Sequence, residues 1–303
     1  MIDNFDDFCL HMYYLIDNLW QEIAPLFRRP GPEPSSCSDS ELLTLVLVGE
    51  CRGWDEETSM LSQWDDHRDL FPHLPSQSRF NRRRRNLREA MNLIRQRVLQ
   101  RFDLAHERYS IIDSLPIPVV QFHHAPRAND DWKIHAASFG KVSAKQQTIY
   151  GYKLHLLVTL EGIIVDGLLA PAHERDLTAG VELLSYHTDR VVMGDMAYYS
   201  VPIAADLAAE RAIHLLALPH ANYRAHVSPA LRQTFHAARR LIETVNSQLT
   251  LQFHLEVNHA HTFIGLYTRL ASKLTAHTLS TFLNRLFDHP NLLHIKRLAF
   301  PPI

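Results

Sequence analysis

The chain has 303 residues, of which 46% are hydrophobic and 21% are charged, a balance that supports a folded core and argues against intrinsic disorder. The formal net charge of −2 excludes an evenly basic surface, and the three cysteines form no CxxC pair, which indicates a reducing compartment and no structural zinc site. No apolar run of about 18 residues occurs and the N-terminus is acidic, so we expect no membrane span, no secretory signal and a cytoplasmic protein.

The first third of the chain predicts short helices. Apolar residues recur at helical spacing over residues 5–26, and a further short helical segment covers residues 57–64. Between them, Ser38 and Glu41 form a capping-box pattern ahead of an apolar helical body at residues 42–51.

An arginine-rich helix is predicted over residues 79–101, where Glu89 is the only acid. Charge runs are usually solvated helix faces, and that remains the alternative here. Guanidinium groups match the geometry of phosphates, which favours a helix lying against DNA in a helix-turn-helix-like module over residues 1–105. The candidate DNA contacts in this helix are Arg79, Arg82, Arg83, Arg84 and Arg85.

The remaining chain predicts a mixed sheet covered by helices. Strands are expected at residues 109–113, 149–160, 163–170, 190–195 and 212–218, and helices at residues 173–186, 201–210, 229–251 and 263–287. A long loop rich in histidine, proline and basic residues is expected over residues 116–145. This order indicates an antiparallel meander followed by crossover units. We place this domain at residues 106–290 and a tail at residues 291–303.

Three acids of this region suit a metal site. Asp113 and Asp195 each end an apolar strand, where a cation can reach a carboxylate, and Glu243 lies in the helical pattern of residues 229–251. Together they would form the oxygen-rich pocket that hard divalent cations such as Mg²⁺ prefer. Taken singly, a strand-end aspartate is more often a cap and a helix glutamate a surface charge, so only the joint arrangement carries the inference.

Other charged residues of the region are candidates for DNA contacts. Lys153 and His155 share one face of their strand, and Arg239 lies one helical turn before Glu243. The twenty histidines raise the alternative of a zinc hydrolase. No HExxH motif occurs, and the pair at residues 259 and 261 has no third partner in the sequence, so zinc catalysis is disfavoured.

The chain resembles the DDE transposases in several motifs as well as in the order of its acids. The matching segments are residues 75–83, 150–155, 192–195 and 239–244 (PSQSRFNRR, YGYKLH, VMGD and RRLIET). The detailed similarity is to insertion-sequence transposases of the IS982 type, within the IS4/IS5-like group. The IS4-type signature has a tyrosine and a lysine where this chain has His236 and Thr250. Lys153 or Lys273 is the candidate for the missing positive charge.

The resemblance implies an α/β fold with a ribonuclease H-like mixed sheet and flanking helices, preceded by an all-α N-terminal DNA-binding region. It implies that Asp113, Asp195 and Glu243 are catalytic and bind two Mg²⁺ ions, for which Mn²⁺ can substitute. Beyond the arginines given above, DNA contacts are assigned to Lys153, His155, Arg239, Arg240 and Lys273.

The implied protein is a DNA transposase that binds the terminal inverted repeats of its insertion sequence and catalyses metal-dependent strand cleavage and strand transfer. Its partners would be DNA and further copies of the chain, in a homodimer or larger assembly within the bacterial nucleoid. Phosphodiester exchange needs no nucleotide cofactor, and no GxxxxGK(S/T) loop is present. Two alternatives stay open: a catalytically inactive or co-opted DNA-binding protein, and a metal-dependent nuclease of the same fold.

Overall fold

The computed structural model describes residues 2–27, 36–142, 147–219 and 228–301. The chain forms two compact units, one of residues 1–103 with 248–303 and one of residues 104–247. Residues 143–145 of the predicted loop and the last two residues of the predicted tail lie outside the described residues. No helix in the described part of the chain is long and apolar enough to cross a membrane.

Most of the helices lie in predicted helical segments, but two short ones, at residues 130–134 and 296–299, were not predicted. The helices are α1 (Phe5–Ile23), α2 (Asp39–Cys51), α3 (Glu57–Asp65), α4 (Gln77–Asn86), α5 (Arg88–Arg101), α6 (Asp130–Ile134), α7 (Asp176–Leu184), α8 (Val201–Arg211), α9 (Pro229–Leu251), α10 (Phe263–Leu286) and α11 (Lys296–Ala299). The predicted capping box at the start of α2 is confirmed, because the Ser38 hydroxyl accepts the Glu41 N–H and the Glu41 carboxylate accepts the Ser38 N–H.

The arginine-rich segment forms two helices where the sequence predicted one. α4 ends at Asn86 and α5 begins at Arg88. Leu87 lies between them with φ −91° and ψ 8°, outside the helical region, and its side chain is buried. The break therefore places the side chain of Leu87 in the core.

The C-terminal helix belongs to the helical unit. α10 carries buried residues on all sides from Leu270 to Asn284 and packs against α2 and α5. The sequence predicts residues 248–290 as part of the sheet domain, whereas one compact unit joins residues 248–303 to residues 1–103. The physical reason is that helical spacing identifies an apolar face without identifying the element that covers it.

The second unit contains a six-stranded mixed sheet. Its strands are β1 (Tyr109–Val120), β2 (Ser138–Val142), β3 (Gln147–Thr159), β4 (Ile164–Pro171), β5 (Arg190–Gly194) and β6 (Ile213–Ala217). β3 pairs antiparallel with β1 on one side and with β2 and β4 on the other. β1 pairs in parallel with β5, and β5 in parallel with β6. The meander and the crossovers expected from the sequence are both present, while β2 was not expected.

β1 continues past Asp113 to Val120, so the prediction that this strand ends at the acid is wrong. β3 pairs with β1 as far as Val120, whereas β5 pairs with it only through Ile112. Beyond Ile112 one side of β1 therefore has no strand partner among the described residues. Pro116 and Pro118 are accommodated because a missing N–H on that side breaks no ladder hydrogen bond.

Gly151 allows β1, β2 and β3 to meet. Its φ is 152°, and a Cβ atom there would lie 2.2 Å from the carbonyl oxygen of Ile117. Gly151 pairs with Pro118 on β1 and with Ser138 on β2. The close approach of three backbones thus requires glycine at this position.

A hydrophobic core joins the sheet to α7 and α8. Ile112 of β1 and Val192 of β5 pack with Leu183 and Leu184 of α7 and with Leu207 of α8. All five side chains are buried. This core holds β1 and β5 together as far as Ile112 and Gly194, the residues directly before Asp113 and Asp195.

Candidate active site

The register of the sheet places Asp113 next to Asp195. The parallel pairing of β1 with β5 ends with Ile112 opposite Gly194. Asp113 and Asp195 are the next residues on these two segments, and adjacent strands lie about 4.8 Å apart. The two aspartates therefore occupy neighbouring positions at the same end of the parallel pair.

Hydrogen bonds hold both aspartates. Asp113 Oδ1 accepts the N–H of Ser114 at 2.8 Å, and its Oδ2 accepts Nδ2 of Asn246 at 2.8 Å. Asp195 caps the short 3-10 helix Met196–Tyr198, because its Oδ1 accepts the N–H of Ala197 at 2.8 Å. These donors stabilise the charged form of each carboxylate.

The three predicted acids line one cavity of about 290 Å³. Asp113 comes from β1, Asp195 from the turn after β5 and Glu243 from α9. His236 and Arg239 of α9 line the same cavity. Most of the other lining residues are apolar: Ile111, Ile112, Met193, Gly194, Met196, Leu218, Phe235, Ala238 and Ile242. The cavity thus combines charged groups with mostly apolar walls.

Glu243 is paired with Arg239 on the same helix. Arg239 Nε donates to Glu243 Oε1 at 2.8 Å, across one turn of α9. Both side chains are exposed, so this ion pair by itself contributes little to stability. Arg239 also acts on Asp195, where burial raises the pKa of the carboxyl and the charge of Arg239 offsets part of that rise.

Burial is the largest cause of the raised pKa values of Asp113 and Asp195. It raises the pKa of Asp113 to about 6, with the charges of Asp195 and Asp176 acting in the same direction against the donors Ser114 and Asn246. Burial also raises the pKa of Asp195, and the charge of Asp176 adds to this effect. An added cation between these carboxylates would offset the cost of keeping them charged.

Asp176 is a fourth acid close to the cavity. It opens α7, and its Oδ1 accepts Nζ of Lys153 at 2.7 Å. The same Lys153 Nζ donates to the carbonyl oxygen of Glu174 at 2.7 Å, and the Ser114 hydroxyl lies 3.5 Å from Asp176 Oδ1. Lys153, proposed from the sequence as a DNA contact or as the missing lysine, is therefore already bound to an acid of its own unit.

The prediction that His155 contacts DNA conflicts with the burial of its side chain. Its side chain is completely buried, and Nδ1 lies 3.0 Å from the hydroxyl of Tyr198. Burial lowers the pKa of His155 to about 4, with Lys153 acting in the same direction and Asp176 against both. A neutral, buried imidazole cannot bind a phosphate at the surface. Strand alternation placed His155 correctly with Lys153 on one face, but that face is covered.

The prediction that Arg84 and Lys273 contact DNA conflicts with their burial in the same way. Both are buried in the helical unit and both pair with Glu50, Lys273 at 2.7 Å. Ser272 Oγ donates to Glu50 at 2.7 Å, and Arg84 Nη1 lies 3.6 Å from Glu57 Oε1. Burial pushes the pKa of Glu50 up, but Lys273 and Arg84 outweigh it and hold that pKa below its ordinary value. Both cations neutralise the buried Glu50 carboxylate, so neither is available to DNA.

The other predicted cations lie at the surface, except Arg83. Arg79, Arg82 and Arg85 are exposed on α4, and Arg240 is exposed on α9. Arg83 is half-buried and donates to Asp39 at 2.5 Å and to the Cys37 carbonyl oxygen at 2.9 Å. Those two acceptors lie at the start of α2, so Arg83 stabilises the helical unit. The exposed arginines remain candidates for DNA contacts.

The chemistry of the donors in the cavity fits a hard divalent cation. Asp113 and Asp195 offer carboxylate oxygens at neighbouring positions, which is the donor type that Mg²⁺ prefers. Across the residues that the structure describes, no group of three His, Cys, Asp or Glu side chains is close enough to hold a metal ion. The structure thus brings two of the acids together and places Glu243 in the same cavity, bound to Arg239.

Asn246 and Asp176 are site residues that were not predicted from the sequence. Asn246 follows Glu243 by three residues, so helical spacing places the two on one side of α9. Asp176 was visible only as a residue at the start of a helix. Its proximity to Asp113 depends on pairing between strands far apart in sequence, which no local pattern reveals.

A sequence model for the family described as the transposase DDE domain matches residues 105–262, just over half of the chain. The matched range contains all three predicted acids, together with Asn246 and Asp176. A search of curated proteins and a search of solved structures each returned no match.

Proposed function

Because this chain belongs to the family of transposase DDE domains, we propose that it is a DNA transposase acting on its own insertion sequence. It binds the terminal inverted repeats, cleaves the strands there and joins the freed 3′ ends to target DNA. The observation that carries the proposal is the cavity into which β1, the turn after β5 and α9 bring Asp113, Asp195 and Glu243.

Within that family, the proposed fold is ribonuclease H-like and the proposed type is IS982. The order β4-β3-β1-β5-β6, in which β3 runs antiparallel to its neighbours β4 and β1, supports the fold assignment. Two acids on adjacent parallel segments and a third on a later helix agree with it. The type assignment rests on the motifs of residues 75–83, 150–155, 192–195 and 239–244.

We propose that Asp113 and Asp195 bind divalent metal, as two Mg²⁺ ions or two Mn²⁺ ions, with Glu243 completing the set after it leaves Arg239. When bound, such ions activate the attacking oxygen and stabilise the leaving 3′ oxygen of a phosphodiester. Arg239, once separated from Glu243, is free to bind a phosphate of the DNA strand in the cavity.

The exposed arginines hold the duplex in this proposal. Arg79, Arg82 and Arg85 contact phosphates along α4, and Arg240 does so beside the cavity. Two transposon ends must be joined in one event, so the active assembly on DNA is a homodimer or larger. The protein would work in the bacterial cytoplasm, bound to the nucleoid.

The test is an Asp195→Asn variant of the full chain. The substrate is a plasmid that carries the reading frame with its genomic flanks, incubated with Mg²⁺. Strand cleavage should fall by at least about 100-fold, because the metal ions that act on the phosphodiester would lose a carboxylate ligand. DNA affinity should stay within about twofold. Asp206→Asn, an exposed carboxylate on α8 outside the cavity, is the matched control.

The outcomes separate the remaining candidates. Cleavage without joining by the wild-type chain would indicate a nuclease of the same fold. Specific end-binding without cleavage under any metal would indicate an inactive DNA-binding protein. Cleavage that persists in Asp195→Asn contradicts the assignment of the acids.

A further inference from the structure

Asn246 reaches Asp113 from the helix that carries Glu243. Its Nδ2 donates to Asp113 Oδ2 at 2.8 Å, while the N–H of Ser114 donates to Oδ1 at 2.8 Å. Each carboxylate oxygen of Asp113 therefore accepts one hydrogen bond and keeps a lone pair that is not used by these donors. The two donors also fix the plane of the carboxylate, because they hold both of its oxygens.

The surroundings of Asn246 argue that stability is not the reason for an asparagine at this position. Its Oδ1 is buried, and among the described residues it has no hydrogen-bond partner. An unpaired buried acceptor lowers stability, and an apolar side chain of similar volume would avoid that loss. The reverse orientation of the amide would set Oδ1 against the carboxylate, so the amide nitrogen is the group that faces Asp113.

The hydrogen bond also connects two of the elements that carry the predicted acids. Asn246 lies on the same side of α9 as the buried Val245 and Leu249 and the cavity-lining Ile242. It links this helix to β1 across 133 residues of sequence. The bond therefore aligns Asp113 with the part of α9 that bears Glu243.

We propose that Asn246 is a positioning residue, which aims the Asp113 carboxylate for metal binding and aligns α9 with β1. The inference rests on the proposed function, since it takes Asp113 as a metal-binding group. Groups that orient a metal-binding side chain usually change metal affinity or activity by about 10- to 100-fold when removed. Asn246 is expected to behave in this way without contacting the reacting phosphate.

The experiment compares three variants of the full chain. Asn246→Leu keeps the volume and removes the donor, Asn246→Gln keeps an amide donor on a longer side chain, and Ser247→Ala is the exposed control on the same helix. The first measurement is the rise in melting temperature as MnCl₂ is added. The second is Mn²⁺-dependent cleavage of the plasmid described above.

For Asn246→Leu, the Mn²⁺ concentration at half-maximal stabilisation should rise about 10- to 100-fold, and cleavage at a fixed Mn²⁺ concentration should fall by a similar factor. Asn246→Gln should recover most of both losses, and Ser247→Ala should match the wild type. DNA affinity should be unchanged in all three. A purely structural role would lower the melting temperature in EDTA and leave the Mn²⁺ midpoint unmoved, and that result overturns the proposal.

Asp113→Asn in the same titration separates this inference from the function on which it rests. If Asp113→Asn responds to Mn²⁺ as the wild type does, the proposed metal site is wrong and the role of Asn246 falls with it. If Asp113→Asn loses the response while Asn246→Leu keeps it, only the role of Asn246 is wrong. Equal losses in Asn246→Leu and Asn246→Gln overturn the claim that the amide donor is what matters.

Discussion

Asp113 is held in a charged state that its surroundings disfavour. Burial, followed by the charges of Asp195 and Asp176, raises its pKa from 3.8 to about 6. The folded chain therefore binds this proton more tightly than the unfolded chain does. The resulting loss of stability is absent below about pH 3.8, grows between the two pKa values and is complete above about pH 6.

Asp113→Asn should therefore make the metal-free chain more stable at pH 7. The expected gain in the free energy of unfolding is about 1 to 3 kcal/mol, with the upper value set by the full pKa shift and the lower by a weaker hydrogen bond to the new amide. Urea unfolding in EDTA at pH 7 and at pH 4 measures it, and the two chains should differ little at pH 4.

Added Mg²⁺ provides the control for this prediction. It should stabilise the wild-type chain at pH 7 and have no effect on Asp113→Asn, because the cation offsets a carboxylate charge that the variant lacks. A variant that is less stable than the wild type at pH 7 would contradict the electrostatic account of this site.

At the scale of single elements, α4 has two kinds of arginine. Arg79, Arg82 and Arg85 recur every three residues and are exposed, so they lie along one side of the helix. Arg84 points into the core and pairs with Glu50. The run of arginines looks uniform in the sequence, but some of its side chains are exposed to solvent and Arg84 pairs with a buried carboxylate.

Substituting Arg82 and Arg84 in turn should separate these roles. Arg82→Ala should weaken DNA binding with unchanged stability, and it should reduce the slope of log affinity against log salt by about 1, because one DNA phosphate is no longer neutralised. Arg84→Ala should lower the free energy of unfolding by about 3 to 5 kcal/mol, because Glu50 loses a buried partner. Fluorescence anisotropy at several salt concentrations and urea unfolding measure the two effects. Equal losses of stability in both variants would contradict the distinction.

β1 shows what a strand's partners add to its local pattern. The apolar run and the two prolines predicted a strand ending at Asp113, whereas the ladder with β3 carries it to Val120. Proline is excluded from a strand only where its missing N–H faces a partner, and β5 has already ended its pairing at Ile112. The pattern predicted the start of the strand, and the neighbouring strands determined its end.

At the scale of the whole molecule, the helical unit is built from both ends of the chain. α10 supplies the surface against which α2 and α5 pack, and Lys273 on α10 pairs with the buried Glu50 on α2. A fragment of residues 1–103 therefore lacks a large part of its core. In this fragment Glu50 would keep its ion pair with Arg84 and lose the one with Lys273.

This fragment should fail to fold cooperatively on its own, since an uncompensated buried charge and a missing helix both oppose folding. Adding a peptide of residues 248–303 should restore helical content and a cooperative thermal transition. Far-ultraviolet circular dichroism of the fragment, the peptide and their mixture measures this. A sharp transition of the isolated fragment near that of the full chain would contradict the discontinuous unit.

Most helices and strands, the capping box of α2 and the family resemblance that identified the three acids were predictable from the amino-acid sequence. These features depend on local periodicity, caps and short motifs, all of which involve residues close together in the sequence. The tertiary structure alone decided that Arg84, His155 and Lys273 are buried, that α10 joins the N-terminal helices, and that Asn246 and Asp176 lie beside Asp113. Burial and long-range pairing depend on which elements pack together, and a single sequence pattern carries no signal of its distant partner.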